Sequence, residues 1–423
     1  MTLAQAFGIS AVILLAGFAG RILFEKTRVP DIPILLGIGV VLGPGLHILE
    51  RSVLIPLAPY LGMLTLLMIM LEGGMNLEIH QLMNQWKRAV ILTFFSVNLA
   101  TGAVAAGYLL MTGSGLLPSL LLGSILGCTS GAVVIPLVNA MRMGKSTRTI
   151  LTLESALGDA MAVVAVVVLV RYAAQPSADI TGQLLATAGS ILGGVLLGAI
   201  GGLFWVKVLE RTGEMPLSYM ITLAAVFLLF SAAESAHFSG VIAVLFFGAA
   251  LSNGPAILSR IPALREKDDW DASRTALDGT IRWFHEELTF IARVFFFVYL
   301  GMLVEWSSLT GRFLAVSAAM ISLIYVSRSA SVRLLGLAGR RLVPFERKIL
   351  TTMGPRGLTS AVLAMVPHAA GIPGTGVFVQ YAFAVILVTN LFVTFAVLRS
   401  ERRIDAMLAA NPPPPPAPPG GML

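Results

Sequence analysis

The sequence predicts an all-α polytopic membrane protein of about thirteen transmembrane helices, built as two inverted six-helix repeats joined by a linker helix, with two broken crossing helices. Three observations carry that prediction. Apolar runs of roughly 20 residues recur along nearly the whole chain. Lys and Arg gather in every second loop between those runs. A short Gly-x-Thr-Ser segment returns seven spans after its first appearance, and displacement by an odd number of spans inverts topology.

Of 423 residues, 57% are hydrophobic and 12% charged, and the mean hydropathy is +0.87. A soluble domain does not reach such values. The one cysteine, Cys128, excludes an internal disulfide or a Cys-rich metal centre. Leu3 to Gly20 carry no basic n-region and no small-residue cleavage site, so they read as a retained span. The apolar segments lie roughly at 3–23, 32–50, 54–72, 87–112, 117–140, 149–174, 182–206, 216–235, 239–252, 288–305, 312–338, 349–370 and 376–398. The ninth is short, and Glu72 closes the third. No long polar block interrupts them, so residues 1–403 form one transmembrane unit. Residues 404–423 are expected to be a disordered, proline-rich cytoplasmic tail. No cofactor motif is present and no cofactor is expected.

Basic residues orient the spans. Arg21, Lys26 and Arg28 follow span 1, Lys87 and Arg88 span 3, and Arg142, Lys145 and Arg148 span 5. Lys207 and Arg211 follow span 7; Arg340, Arg341, Arg347 and Lys348 follow span 11. The even loops hold Arg51, Arg171 and Arg312. The N-terminus is therefore expected outside and the C-terminus in the cytoplasm. The net charge of +7 is a topology signal spread over many short loops, and no nucleic-acid partner is implied. The longest loop, residues 253–287, mixes charges and reads as a solvated surface segment. The five histidines, His47, His80, His237, His285 and His368, lie near membrane ends and read as inert.

Two segment pairs form the repeat. Gly127-Cys128-Thr129-Ser130 in span 5 matches Gly357-Leu358-Thr359-Ser360 in span 12, and a proline closes each, Pro136 and Pro367. Gly74-Met75-Asn76-Leu77-Glu78 matches Gly301-Met302-Leu303-Val304-Glu305. Spans 1–6 then pair with spans 8–13, and span 7 connects them. Its glycines Gly194, Gly198 and Gly202, at four-residue spacing, suit close helix packing. Thr-Ser flanked by Gly predicts that helices 5 and 12 break there. Broken backbone at membrane depth survives only where it is buried in protein or lines a wet cavity.

Asp159 lies near the start of the apolar run from Ala160 to Val170, and Glu154 and Ser155 precede it on the same helix. Both carboxylates could cap an exposed helix end. An ionisable residue inside a membrane, however, is costly and reads by default as a binding site. The expected ligand is a cation or a proton.

These residues resemble the sodium/proton exchanger branch of the monovalent cation:proton antiporters. Arg28-Val29-Pro30 with Leu42-Gly43-Pro44, Leu71-Glu72-Gly73-Gly74, Glu154-Ser155-Ala156-Leu157-Gly158-Asp159, Phe295 to Gly301 and Gly354-Pro355-Arg356-Gly357 carry the resemblance, in order, over about residues 20–395. It implies a transport domain from about 87–174 and 312–398. It also implies a scaffold from about 1–72 and 216–305 that forms a homodimer, with the linker helix at about 182–206. The implied activity is exchange of Na+, with Li+ or K+ as alternatives, for H+ by alternating access, serving pH homeostasis in the lipid of a prokaryotic inner membrane. Asp159 is implied as the carboxylate that takes cation or proton, with Ser155, Thr129 and Ser130 as oxygen ligands. Glu154 is implied to pair with a helix-11 arginine, Arg328 or else Arg333, and Arg356 to lie at the helix crossing. Glu72 matches a scaffold glutamate without an assigned role. Two positions depart from the family pattern: Gly158 stands for its Asn or Asp, and Ser130-Gly131 for its Asp-Pro.

Three other classes compete. An intramembrane aspartyl protease needs a second membrane aspartate to share a proton, and Asp31, Asp179, Asp278 and Asp405 all read as loop or end residues. A transporter is therefore expected rather than an enzyme. A sodium-coupled symporter on the same plan needs basic groups for an organic solute, and Arg293, Arg328 or Arg356 are the candidates. A sensor keeps the fold without transport. If Asp159 is the single free carboxylate, the loaded core is neutral in both crossings and exchange is electroneutral, with weak preference for sodium over potassium.

Overall fold

The computed structural model describes residues 3–27, 29–46, 55–77, 79–141, 143–174, 180–212, 218–258, 279–337 and 343–410. Among them all regular structure is helical. In hydrocarbon a backbone must satisfy its own polar groups, and a helix does so within one segment. The elements are α1 (Leu3–Thr27), α2 (Ile32–Val40), α3 (Ala58–Met75), α4 (Ile79–Thr112), α5 (Leu116–Gly127), α6 (Gly131–Ala140), α7 (Lys145–Ala174) and α8 (Ile180–Thr212). They continue with α9 (Ser218–Ser235), α10 (Gly240–Leu258), α11 (Gly279–Met302), α12 (Gly311–Leu337), α13 (Pro344–Thr352), α14 (Leu358–Leu363), α15 (Val366–Ala369) and α16 (Phe378–Ala410).

Among the described residues seven candidate spans are long and apolar enough to cross a membrane: α1, α4, α5 with α6, α7, α8, α12 and α16. Five shorter apolar helices stand beside them: α2 with its π-helical extension, α3, α9, α10, and α14 with α15. Helix α11 carries Glu286, Glu287 and Arg293 and falls in neither group.

Packing divides the helices into two groups. In one, α4 lies against α5, α7 and α12, α6 lies on α7, and α14 and α16 pack together. In the other, α10 packs on α3 and α8, α11 on α2 and α3, and α9 on α10. The groups meet through sparser contacts, α3 and α10 on α7, α3 and α11 on α14, and α2 on α16. The glycine stripe of α8 faces α10. A Cβ on Gly198 would overlap the Ala243 carbonyl, and one on Gly202 would come within 2.6 Å of Ala250 Cβ. Small residues allow this approach, and close packing supplies the association energy in lipid.

The break in span 5 falls where expected, at residues 128–130. The break in span 12 does not. Helix α13 ends at Thr352 and α14 starts at Leu358, so Thr359 and Ser360 sit inside the second half-helix. Pro355 is the physical cause: it has no N–H to donate and disfavours helical backbone at Gly354 before it. The two breaks touch, since the Ser130 N–H donates to the Pro355 carbonyl at 2.9 Å.

Other boundaries also differ. Helix α11 starts at Gly279, so His285, Glu286 and Glu287 are helical rather than loop residues. Helix α16 runs to Ala410, so the expected disorder from 404 does not hold for 404–410. Residues 411–423, the loop 259–278, Arg28, His47, Glu78, Arg142, Asp179, Arg340 and Arg341 lie outside the described residues.

Candidate functional site

Helix α7 presents its three polar residues in two directions. Ser155 and Asp159, four apart, share a face, while Glu154 is turned about 100° away. All three are buried, at 0%, 3% and 1% exposure. The Ser155–Asp159 face meets the span-5 break. There the Gly131 N–H, in the first turn of α6, donates to Asp159 Oδ2 at 3.3 Å. Asp159 Oδ1 is buried with no hydrogen-bond partner among the described residues. Ser155 Oγ donates back to the Thr152 carbonyl at 3.0 Å, which leaves its lone pairs available. A Cβ on Gly131 would stand 3.3 Å from Asp159 Oδ2 and 3.6 Å from Ser155 Oγ, so both oxygens converge beside this glycine. The positive end of the α6 dipole points at the same place.

A cavity of about 20 Å³, room for about one water, reaches Asp159 and is lined by Gly131, Ala156, Glu72 and Ile69 among others. It shares Ile69, Glu72, Asn76, Ala132 and Ile135 with a larger cavity of about 340 Å³. That cavity lies between α6 and the helices α1, α3 and α11, with Arg21, Glu25, Asp31, Glu286 and Arg293 on its wall. Glu72 is thus placed across the seam between the two helix groups, facing the Asp159 side.

Glu154 faces α12. Arg328 Nη1 donates to its Oε1 at 2.6 Å and Nη2 to its Oε2 at 3.0 Å, a bidentate pair. Arg328 also donates to Ser96 Oγ at 2.9 Å and to the Leu350 carbonyl at 2.8 Å. The structure thus brings Glu154 to Arg328. Arg333 lies exposed on α12 and takes no part. Thr129 Oγ1 donates to Glu154 Oε1 at 3.3 Å, so its hydroxyl serves the ion pair rather than Asp159.

Arg356 lies at the meeting of the two breaks, 2% exposed. Its Nε donates to the Leu126 carbonyl at 2.8 Å and its Nη2 to the Gly127 carbonyl at 3.3 Å. These are orphan carbonyls of the last turn of α5, and a cation is favoured at that negative helix end. No carboxylate pairs with Arg356 among the described residues. The helix group of α4 to α7, α12, α14 and α16 therefore holds a buried cation that the neutral charge count from sequence omits.

The polar residues that hold these charges were visible only as scattered breaks in apolar runs. Thr389 Oγ1 accepts from the Arg356 N–H at 3.1 Å, and Asn390 Nδ2 donates to the Arg356 carbonyl at 2.7 Å. Asp31 is no free loop residue. It is 7% exposed and pairs with Arg293 at 3.0 Å. Gly158 has Val97 Cγ2 at 3.7 Å and Cys128 Cβ at 3.8 Å from an ideal Cβ, so a small side chain fits where the family pattern carries Asn or Asp.

A profile of the family "Sodium/hydrogen exchanger, transmembrane" matches residues 10–399. The chain is 27% identical over 375 residues to Na(+)/H(+) antiporter 1 of Methanocaldococcus jannaschii, covering 86% of this chain and 84% of that one. It is 26% identical over 395 residues to the K(+)/H(+) antiporter NhaP2 of a Shewanella species, spanning 92% of this chain but 65% of that longer relative. Its fold is similar to the solved structure of the sodium proton antiporter MjNhaP1 from Methanocaldococcus jannaschii at pH 8, with a TM-score of 0.74, 24% identity, and coverage of 97% and 99% of the two chains. The chain belongs to the transmembrane sodium/hydrogen exchanger family.

Proposed function

We propose that this protein is a secondary active antiporter that exchanges a monovalent cation, sodium foremost, for a proton by alternating access. One observation carries the reading: Asp159 lies at the foot of a cavity between two helix groups, with a free buried oxygen and the Ser155 hydroxyl beside it. A hard monovalent cation takes oxygen donors, and one carboxylate can hold either that cation or a proton but not both. Ser155 and backbone oxygens of the span-5 break complete the cation's shell. Ser130 stands as the remaining candidate ligand from its place at the break. Relatives named as Na(+)/H(+) and K(+)/H(+) antiporters support the same reading, and potassium is the runner-up cation.

The α4–α7 and α12–α16 helices form the moving transport domain, and α1–α3 with α9–α11 form the scaffold, which dimerises. The thirteen-span inverted-repeat plan with α8 as linker follows the matched breaks in spans 5 and 12. The cavity opens at the Arg21 end, which the basic loops assign to the cytoplasm, so this conformation faces inward. The N-terminus lies outside, and the membrane is a prokaryotic plasma membrane. A symporter of organic solutes is disfavoured because Arg328, Arg356 and Arg293 are already occupied by protein acceptors.

Arg356 adds one fixed positive charge to the moving domain. That charge is the same whether Asp159 carries a cation or a proton, so one-for-one exchange remains electroneutral over the cycle. The test is reconstitution in proteoliposomes with an internal pH dye and a screen of external cations. Sodium-driven proton efflux is expected, and a chain that moves no proton against any of Na+, Li+ or K+ contradicts the proposal.

A further inference from the structure

The wall of the 340 Å³ cavity carries more charge than the transport chemistry uses. Its acids are Glu25, Asp31, Glu72 and Glu286; its bases are Arg21 and Arg293. Arg21 and Glu25 are neighbours on α1 at 3.6 Å, both well exposed. Arg293 and Asp31 are a tighter pair, Nη2 to Oδ2 at 3.0 Å with side chains 19% and 10% exposed. Among the described residues Glu72 and Glu286 have no paired base, so the wall sets four acids against two arginines, a balance that favours cations over anions.

The Asp31 pair is built for this place. Asp31 is the N-cap of α2, yet its side chain makes no capping bond. Its carboxylate is turned to Arg293, 262 residues away. Gly20 of α1 makes room, since a Cβ there would lie 3.1 Å from Asp31 Cβ. Arg293 in turn is satisfied on one side only, because its Nε is buried without an acceptor among the described residues. Without Asp31 the guanidinium would lose its ion-pair partner, and the wall of the cation's route would gain one unit of positive charge.

We infer that Asp31 is a positioning residue that sets the potential of the cation's approach path by neutralising Arg293. The inference rests on the antiport reading above. Asp31 touches no transported ion; it acts through Arg293. Losing it adds one positive charge to the cavity wall, and losing Arg293 removes one. The two substitutions therefore act on cation affinity with opposite sign, whereas a purely structural staple between the α1–α2 turn and α11 loses stability in both cases. A unit charge within roughly 10 Å of the path changes local cation concentration on the order of threefold to tenfold at low salt.

The experiment measures sodium-driven proton movement in everted membrane vesicles, which present the Arg21 end to the bath. It is run at alkaline pH, so that protons do not compete, and at low ionic strength. Asp31→Asn is expected to raise the sodium KM about threefold to tenfold with maximal rate little changed. Arg293→Gln is expected to lower it, the double variant to return to the wild-type value, and Asp31→Glu to match wild type. Raising ionic strength with choline chloride should shrink all the differences. A KM that moves in the same direction in both single variants, or stays flat across a folded series, overturns the inference. If one single variant fails to fold, the sign of the other and the recovery in the double variant still decide. Wild-type vesicles without any exchange would overturn the antiport reading itself, which is a distinct outcome.

Discussion

Replacing Glu154 by Ala is expected to cost the protein much of its stability while leaving Asp159 in place. The pair it breaks is bidentate, with both side chains 2% exposed or less. Arg328 would keep Ser96 and the Leu350 carbonyl as acceptors but lose its one counter-charge among the described residues. Thr129 would lose its acceptor as well. Leaving one member of a buried ion pair uncompensated costs about 3–5 kcal/mol. With the specific unfolding entropy of globular proteins scaled to this length, that is a fall of roughly 3–6 °C in apparent Tm. Asp159→Asn removes a charge that has no ionic partner, so it should shift Tm by less. The assay heats detergent-solubilised protein and follows the soluble fraction by size exclusion. A second arm, Glu154→Ala with Arg328→Met, replaces the pair by apolar surface and should recover most of the loss. A Glu154→Ala protein as stable as Asp159→Asn, or a double variant worse than the single one, would refute the reasoning.

Two further outcomes follow from the geometry. Gly198→Leu should lower thermal stability, because any Cβ there overlaps the Ala243 carbonyl of α10, while the sodium KM of the surviving folded protein stays near wild type; a thermally unaffected variant contradicts the close packing. In proteoliposomes whose potential is set by a gradient of the permeant anion thiocyanate, with potassium absent, sodium-driven proton exchange should reach the same final pH gradient at every imposed potential. A gradient that follows the potential, which acts at about 2.3 kcal/mol per charge per 100 mV, means that a second charge is transported.

The parts legible in sequence were those with short-range signatures. Apolar runs and alternating basic loops place the helices, and Glu154-Ser155 with Asp159 mark the site because carboxylates are rare in such runs. The Gly-x-Thr-Ser echo located the span-5 break but misplaced that of span 12, where Pro355 decides instead. The expected alternative between Arg328 and Arg333 could not be narrowed by spacing alone, since the two lie on different faces of α12 and only packing shows which faces α7. Asp31 and Arg293 were read separately, one as a loop residue and one as a spare cation, because 262 residues separate them. Arg356 was placed at the crossing, but its lack of a carboxylate partner is a property of three dimensions. The N-terminal extension of α11 has no apolar signature, because its first turns carry Arg282, His285, Glu286 and Glu287.

The central claim is that Asp159 binds cation and proton in turn. The direct test is Asp159→Asn in the same proteoliposomes as wild type, with insertion and folding checked by size exclusion and thermal stability. The account predicts a folded protein in which proton flux driven by sodium, lithium or potassium falls to the level of empty liposomes. Cation-driven proton flux at the wild-type rate in that variant would contradict it.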